Sequence, residues 1–148
     1  MIRLKEFNLR DALAVCMMLP EREWDVRGRL RGVDGPEALA LQCVGSPGMK
    51  WVFDAPEAPM AIGGFVPVTP GTFRTWFYAT ERCWRDYGRD ITEILHGVIQ
   101  DALKLAHRIE TITLADQEKA RAWYPRIGLH YESTLPGYGA NGEDAVLY

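Results

Sequence analysis

The segment between residues 72 and 114 constrains the fold of this chain most strongly. Thr72 to Thr80 is dense in threonine and aromatic residues, which favour β-structure. Apolar residues then recur at helical spacing: Ile91, Ile94, Leu95, Val98, Ile99, Ala102, Leu103 and Ala106. After them Ile112 and Leu114 alternate with threonines, which predicts a short strand that begins as early as Glu110. A helix that connects two strands in this way indicates an α/β fold with a mixed sheet (α+β).

The amino-terminal third predicts one strand followed by two helices. Ile2 to Phe7 alternates apolar and polar side chains, as a half-buried strand does. Asn8 is suited to cap the first helix, which carries one apolar face and is stopped by Pro20. Pro36 opens the second helix at its first turn. Between these helices, Glu21 to Arg31 is polar and fits neither periodicity.

The remaining elements complete a sheet around the long central helix. Further strands are predicted at Lys50 to Asp54, Met60 to Val68, Leu129 to Ser133 and Asp144 to Tyr148. Gly63-Gly64 marks a bulge or a close backbone approach, and Asp90 with Glu93 predicts a capping box for the central helix. Ala115 to Tyr124 predicts a helix that Pro125 ends. The predicted order is β-α-α-β-β-β-α-β-α-β-β, with residues 1–148 in one domain.

Composition excludes several classes of function. The net charge of −3 and the pI of about 5.6 argue against a nucleic-acid partner. Three widely spaced cysteines argue against a disulfide framework, and the histidines show no metal-ligand spacing. Without a signal peptide or an apolar span, we expect no membrane association and a cytoplasmic location. Arg27, Arg29 and Arg31 form a basic cluster that is either a solvated face or an anion site.

A spaced motif in the last third resembles a known family. Gln117, Ala120, Trp123, Tyr124, Gly128 and Leu129 stand at the spacings of N-x-x-A-x-x-F-Y-x-x-x-G-F, which is found in the GNAT (GCN-related N-acetyltransferase) superfamily. The order of elements is similar to that fold over nearly the whole chain. The resemblance implies an acetyl-CoA-dependent N-acyltransferase with an amine acceptor and acetyl-CoA as cosubstrate. It also implies that Tyr124 donates a proton to the departing thiolate.

The resemblance extends to the predicted cosubstrate-binding segment. In the family, a loop of pattern Q/R-x-x-G-x-G/A precedes the central helix and holds pyrophosphate through backbone N–H groups. Arg85 and Gly88 match this pattern, whereas Asp90 replaces its last small residue. The resemblance therefore implies a pyrophosphate site at Arg85, Gly88, Arg89 and Asp90. Backbone groups of Tyr78, Ala79 and Thr80 would pair with pantetheine. The alternative is an ordinary loop with a helix cap.

A general base is harder to assign from the sequence. The family often uses a glutamate on or near the fourth strand, which acts through a water molecule. The strand from Thr72 to Thr80 contains no acidic residue, and Glu81 is the nearest candidate. Asp54 lies on a neighbouring segment. Each of these carboxylates is alternatively a solvated surface charge.

A second resemblance suggests a different kind of function. Pro59 to Gly64, followed by the aromatic strand and Trp84-Arg85, is similar to a small GNAT-like group encoded by tailed bacteriophages. Some members of that group are internal virion proteins. This implies a GNAT scaffold without turnover, inside or on a phage particle, with other virion proteins or a second copy as partner. An acyl-CoA-binding sensor is a third alternative. The acceptor is unspecified, and Trp24 with the basic cluster lines either an acceptor groove or a surface face.

Overall fold

The structure is a computed structural model that describes residues 1–33 and 35–148, apart from the side chain of Arg31. Its strands are β1 Arg3–Glu6, β2 Lys50–Asp54, β3 Pro59–Thr69, β4 Thr72–Ala79, β5 Arg108–Glu110, β6 Ile112–Leu114, β7 Ser133–Leu135 and β8 Ala145–Leu147. Its helices are α1 Leu9–Met17, α2 Glu21–Arg31, α3 Pro36–Gly45, α4 Glu81–Ala102 and α5 Glu118–Trp123, and a short 3-10 helix covers Tyr124–Ile127. The predicted mixed α/β fold is confirmed.

The strands form two sheets that meet at one strand switch. The larger sheet has the order β1-β2-β3-β4-β5, antiparallel except for the parallel pair β4–β5 that α4 connects. The smaller sheet has the order β6-β8-β7 and is antiparallel. The single strand predicted near Glu110 to Leu114 is therefore two strands. At Thr111 the backbone leaves β4 and exchanges hydrogen bonds of 3.0 Å with Tyr148.

The amino-terminal helices cover one face of the larger sheet. Asn8 caps α1 by accepting a hydrogen bond of 2.9 Å from the backbone of Asp11, as predicted. Pro36 stands in the first turn of α3, also as predicted. The prediction of two helices before the second strand is wrong, because Glu21–Arg31 forms α2. Among its described side chains only Val26 is deeply buried, and several of the polar ones border a cavity, so α2 shows no apolar stripe.

The central helix begins earlier than the sequence pattern suggested. Thr80 follows β4 directly, and its hydroxyl accepts a hydrogen bond of 3.1 Å from the backbone of Cys83. This cap starts α4 at Glu81, so the predicted loop at residues 85–90 and the cap at Asp90 are wrong. Residues 85–90 lie inside the helix, where backbone N–H groups bond to carbonyls of the preceding turn.

The core is divided between the two faces of the larger sheet. On one face α1 and α3 pack against Val52, Ile62 and Tyr78, and on the other α4 packs against Phe53 and neighbouring side chains. The close approach predicted at Gly63-Gly64 is confirmed: a Cβ on Gly64 would lie 2.4 Å from the Met49 carbonyl oxygen.

The carboxyl-terminal hairpin is shorter than predicted. Its first strand starts at Ser133 instead of Leu129, and its second is β8. Gly128 adopts φ +91°, which makes the predicted turn before this hairpin. Within the described residues, none of the helices combines the length and hydrophobicity needed to cross a bilayer.

Candidate functional site

A cavity opens where β4 and the following strand diverge. The parallel pairing of β4 with β5 covers Thr72–Arg74 and Arg108–Glu110. The Thr111 hydroxyl then donates a hydrogen bond of 3.3 Å to the Thr75 carbonyl, after which β6 turns away to pair with β8. The space between the separated strands is a cavity of about 610 Å³. Its position follows from the strand switch rather than from any single side chain.

Side chains from several elements line this main cavity. β4 contributes Thr75, Trp76 and Phe77, and the strand switch contributes Thr111, Ile112 and Thr113. Charged residues come mainly from α2 and from the region of α5: Arg22, Glu23, Arg27, Glu81, Asp116, Glu118, Lys119 and Arg126. The remaining lining is largely aromatic and aliphatic, including Trp84, Leu95, Ile99, Trp123 and Tyr124. The site thus combines an apolar body with charged groups, as small-molecule sites do.

Helix α2 borders the cavity and is held by an ion pair near each end. Arg22 forms an ion pair of 2.9 Å with Glu81 at the start of α4. Arg29 forms one of 2.8 Å with Asp116 in the segment before α5. The basic cluster noted in the sequence is therefore divided: Arg29 is structural, Arg27 faces the cavity, and the side chain of Arg31 lies outside the described residues.

Tyr124 contributes to the cavity wall from the 3-10 helix that follows α5. Burial raises the pKa of its phenol, while hydrogen bonding to Thr113 and Thr111 and the charge of Arg27 act in the opposite direction. The neighbouring Trp123 packs against Trp84 and donates a hydrogen bond of 3.0 Å to the Thr92 hydroxyl. This anchor fixes the turn on which Tyr124 sits. Tyr124 is partly buried, and its raised pKa keeps the phenol protonated at neutral pH, so it can donate a proton within the cavity.

Glu23 and Arg27 stand one turn apart on α2 and face the same space. The Arg27 side chain is 12% exposed and the Glu23 side chain 27% exposed. Their charged atoms are 3.9 Å apart, which is longer than a hydrogen bond. Both charges act on Tyr124: the charge of Arg27 lowers the pKa of the phenol and that of Glu23 raises it. The three groups therefore share one electrostatic environment.

The two acidic residues considered from the sequence have different positions. Glu81 lies at the cavity rim, with 63% of its side chain exposed and its carboxylate paired to Arg22. Asp54 lies on β2 and pairs with Arg3 and Lys5 at 3.6 and 3.8 Å. Asp54 is not among the side chains that line the cavity.

The predicted pyrophosphate segment lies beside a second, smaller cavity. This cavity of about 440 Å³ is lined by Trp84, Gly88, Arg89, Thr92, Glu93, Trp123 and Arg126. Arg85 is exposed and pairs with Asp86 at 2.9 Å, while Arg89 is 89% exposed and pairs with Glu93. Trp84, Trp123 and Arg126 line both cavities. Gly88 and Arg89 thus reach this cavity from the interior of α4, not from a loop.

The backbone groups predicted to face a ligand are partly engaged elsewhere. Tyr78 and Ala79 pair with Ile62 and Ala61 of β3 along one edge of β4. The Thr80 N–H donates a hydrogen bond of 3.0 Å to the Met60 carbonyl. The stretch of β4 that contributes to the cavity is Thr75 to Phe77, slightly earlier in the strand than predicted.

Sequence reasoning did not identify Glu23, Arg126 or Thr113 as site residues. Glu23 was missed because α2 has no apolar periodicity, so the sequence does not show which face of this helix points inward. Arg126 directly follows Pro125, and this pattern predicts only a turn at the surface. In the sequence, Thr113 shows only the alternation of a strand residue between Ile112 and Leu114. Its cavity-facing role depends on the departure of β6 from β4.

Comparison with known proteins identifies the fold. No family model matches the sequence, and the search of curated proteins found no match. A GNAT-family acetyltransferase from Bacillus anthracis superposes with a TM-score of 0.73, at 12% identity over 99% of this chain and 92% of the other. The chain has the GNAT fold. Mycobacterium smegmatis RimJ, solved with CoA-disulfide, gives 0.75 at 17% identity over 99% and 79% of the two chains. A ribosomal-protein-alanine N-acetyltransferase from Brucella melitensis gives 0.73 at 14% identity over 98% and 96%.

These structural relatives are acetyltransferases, and one of them was solved with a CoA derivative. They bear out the superfamily resemblance at the level of fold. They give no support to the narrower resemblance to the phage-encoded group. At identities of 12–17%, this likeness shows the fold alone.

Proposed function

We propose that this protein transfers an acyl group from an acyl-CoA, with acetyl-CoA as the expected donor, to an amine. The observation that carries the proposal is the 610 Å³ cavity between the diverging β4 and β6, with Tyr124 in its wall. The GNAT fold of the chain is consistent with this use of the cavity.

The residues present fit the acyl and pantetheine end of the cosubstrate. Beyond Arg74 the edge of β4 is no longer paired with β5, and Thr75 to Phe77 border the cavity there. An amide-containing chain can pair with such an edge as an added strand would. The same strand continues toward α4 through Tyr78, Ala79 and Thr80. We propose that the contact with pantetheine ends at these residues.

The phosphate end fits side chains rather than a backbone loop. Glu81 occupies the first turn of α4, where a carboxylate opposes a bound phosphate. Arg89 and Arg126 instead offer two guanidinium groups at the second cavity, beside Gly88. Guanidinium groups bind phosphate oxygens through paired hydrogen bonds. We therefore assign phosphate binding to Arg89 and Arg126, with Arg85 and Asp90 as helix-surface neighbours.

The proposed reaction is a direct transfer. The uncharged amine nitrogen attacks the thioester carbonyl carbon, the carbon–sulfur bond breaks, and its electron pair stays on sulfur. Tyr124 gives its phenolic proton to that sulfur. The amine proton passes to a carboxylate, for which Glu23 and Glu81 are the two candidates. The products are an amide and free CoA.

Titration calorimetry with acetyl-CoA tests the binding step. We expect measurable binding that weakens about tenfold or more in Arg126→Gln, because a charge-assisted hydrogen bond is worth about 1.5–3 kcal/mol. Arg10→Gln, an exposed arginine on α1, is the control and should bind as the wild type does. Absence of heat at millimolar acetyl-CoA would refute the proposal.

Tyr124→Phe tests the chemical step. Removal of a general acid typically costs about 10²–10⁴ in rate. We expect kcat to fall at least 100-fold against any accepted amine, with acetyl-CoA affinity unchanged. Equal turnover by the variant and the wild type would remove Tyr124 from the mechanism.

A second candidate is a GNAT-fold protein that binds a ligand or a partner without turnover. It is favoured by the unbroken helix through residues 85–90 and by Glu81 in the first turn of α4. A virion component and an acyl-CoA sensor both belong to this class. Acetyl-CoA binding without product from a broad panel of amines would favour the sensor. The absence of both binding and product would favour the structural role.

A further inference from the structure

Arg27 places a largely buried positive charge, which has few partners, in the wall of the main cavity. Its guanidinium carbon lies 4.9 Å from the centre of the Tyr78 ring, and its hydrogen bond to the Tyr78 hydroxyl is long, at 3.5 Å. The Glu23 carboxylate is 3.9 Å away, and the side chain is only 12% exposed. Among residues 1–33 and 35–148, its Nε atom has no hydrogen-bond acceptor.

An oxyanion in the cavity would be a suitable partner for this charge, since it can accept hydrogen bonds from the guanidinium. A guanidinium carries five N–H donors, and buried charges are normally paired and hydrogen-bonded. The described contacts give Arg27 one long hydrogen bond and one long ion pair, which leave most of that capacity unused. The indole N–H of Trp76, another contributor to the cavity wall, also has no acceptor among the described residues. Both unsatisfied groups are donors, so the missing partner is an acceptor.

Glu23 supplies the complementary charge for the other end of the same ligand. It lies four residues before Arg27 on α2, so the two side chains project from the same face of the helix. A small molecule that carries an ammonium group and an oxyanion a few bonds apart can contact both. Glu23, Arg27 and Tyr124 line the same cavity, so a molecule that contacts both charges occupies the space that the proposed proton donor borders.

We propose that the acceptor is a small amine that also carries an oxyanion, as amino acids and aminophosphonates do, and that Arg27 binds the oxyanion. The transfer to this acceptor rests on the proposed function, whereas its binding does not. Arg27 is then a specificity-determining residue, and amines without a nearby anion are poor acceptors.

Matched ligand pairs test this assignment. Calorimetry would compare free α-amino acids with their carboxamides, and a further arm would use aminomethylphosphonate to separate carboxylate from phosphonate recognition. Acetyl transfer to the same compounds would be followed by mass spectrometry. We expect wild-type protein to favour the oxyanion-bearing member about 10- to 100-fold in affinity and in kcat/KM. Arg27→Gln should abolish that preference, Arg27→Lys should keep part of it, and Arg10→Gln should leave it intact.

The outcomes separate this inference from the proposed function. If acetyl-CoA does not bind, yet the preference for the oxyanion exists and disappears in Arg27→Gln, the acyltransferase proposal fails and the anion site stands. Equal binding of acids and amides by wild-type protein, or binding of neither, overturns the inference. It is also overturned if Arg27→Gln weakens acetyl-CoA as much as it weakens the acceptor, because Arg27 then belongs to the cosubstrate site. Near-ultraviolet circular dichroism checks that each variant remains folded.

Discussion

Replacement of Glu110 by glutamine should weaken the pairing of β4 with β5 just before the strand switch at which the main cavity opens. The Glu110 side chain is 9% exposed and accepts three hydrogen bonds, from Arg74 at 3.0 and 2.7 Å and from Arg108 at 3.0 Å. These bonds join β4 to β5 at the end of their parallel pairing. Glutamine keeps one acceptor oxygen but turns an NH₂ group toward a guanidinium, so at least one bond is lost.

The magnitude follows from the exposure of the partners. Loss of one partner from a fully buried ion pair costs about 3–5 kcal/mol. Arg74 and Arg108 are each 34% exposed, so water can hydrate a released guanidinium and reduce that cost. We therefore expect Glu110→Gln to lower the free energy of unfolding by about 2–3 kcal/mol. With an m-value of about 1–3 kcal/mol/M in urea, the midpoint should fall by roughly 0.7–3 M.

Urea unfolding followed by tryptophan fluorescence measures this change, and Glu132→Gln is the matched control. Glu132 also pairs with Arg108, at 2.6 Å, but its side chain is 47% exposed, so its loss should cost less than about 1 kcal/mol. Burial opposes ionisation of Glu110, but hydrogen bonds from Arg74 and Arg108 outweigh it and lower its pKa. Its stabilising effect is thus complete above its usual pKa of 4.5 and is lost as pH falls below that value. Equal costs for the two variants, or a cost for Glu110→Gln that persists in acid, would refute this reasoning.

Two further predictions concern packing and burial. Gly64→Ala should destabilise the fold by about 1–3 kcal/mol, because its Cβ would lie 2.4 Å from the Met49 carbonyl, whereas Gly97→Ala, in open space on α4, should be neutral or slightly stabilising; thermal unfolding compares the two. Burial raises the pKa of Cys16 to about 11 and that of Cys83 to about 12, so both thiols should resist alkylation at pH 8 until the protein unfolds. Because these pKa values are raised in the folded state, the protonated thiols make their full contribution to the free energy of unfolding below the usual pKa of 9.0. That contribution declines as pH rises above 9.0. Rapid labelling of the native protein, or stability that is constant from pH 8 to 11, would contradict this account.

Local patterns predicted the elements whose signals are contained in a few neighbouring residues. Asn8 before α1, Pro36 in α3 and the left-handed Gly128 were all predictable because caps and turns depend on short-range geometry. The strand switch at Thr111 was not predictable in the same way. An alternating strand of this composition can pair with β4 or with β8, and only the assembled sheets select where the change occurs.

The error at α4 has a different physical origin. Asp90 with Glu93 has the form of a capping box, and Arg85 with Gly88 has the form of a phosphate loop. Thr80 competes with Asp90 as a cap and prevails because it stands directly after β4, where its hydroxyl reaches the Cys83 N–H. Once the helix starts there, residues 85–90 continue it without strain. A local motif was overridden by an earlier start signal, and the expected anion-binding loop does not form.

The positions of Glu23 and Glu81 distinguish these two candidates for the general base. Glu81 is 63% exposed and its carboxylate is held by Arg22 at 2.9 Å, whereas Glu23 is 27% exposed and its charge contributes to raising the pKa of Tyr124. A base must reach the amine beside the proton donor, which favours Glu23. We expect Glu23→Gln to lower kcat about 100-fold or more and Glu81→Gln to change it less than fivefold. Because the Glu81 carboxylate would repel a phosphate bound near the start of α4, Glu81→Gln should leave acetyl-CoA affinity equal or improved. Steady-state kinetics and calorimetry on both variants decide the matter, since a larger loss of kcat in Glu81→Gln would return the role of base to Glu81.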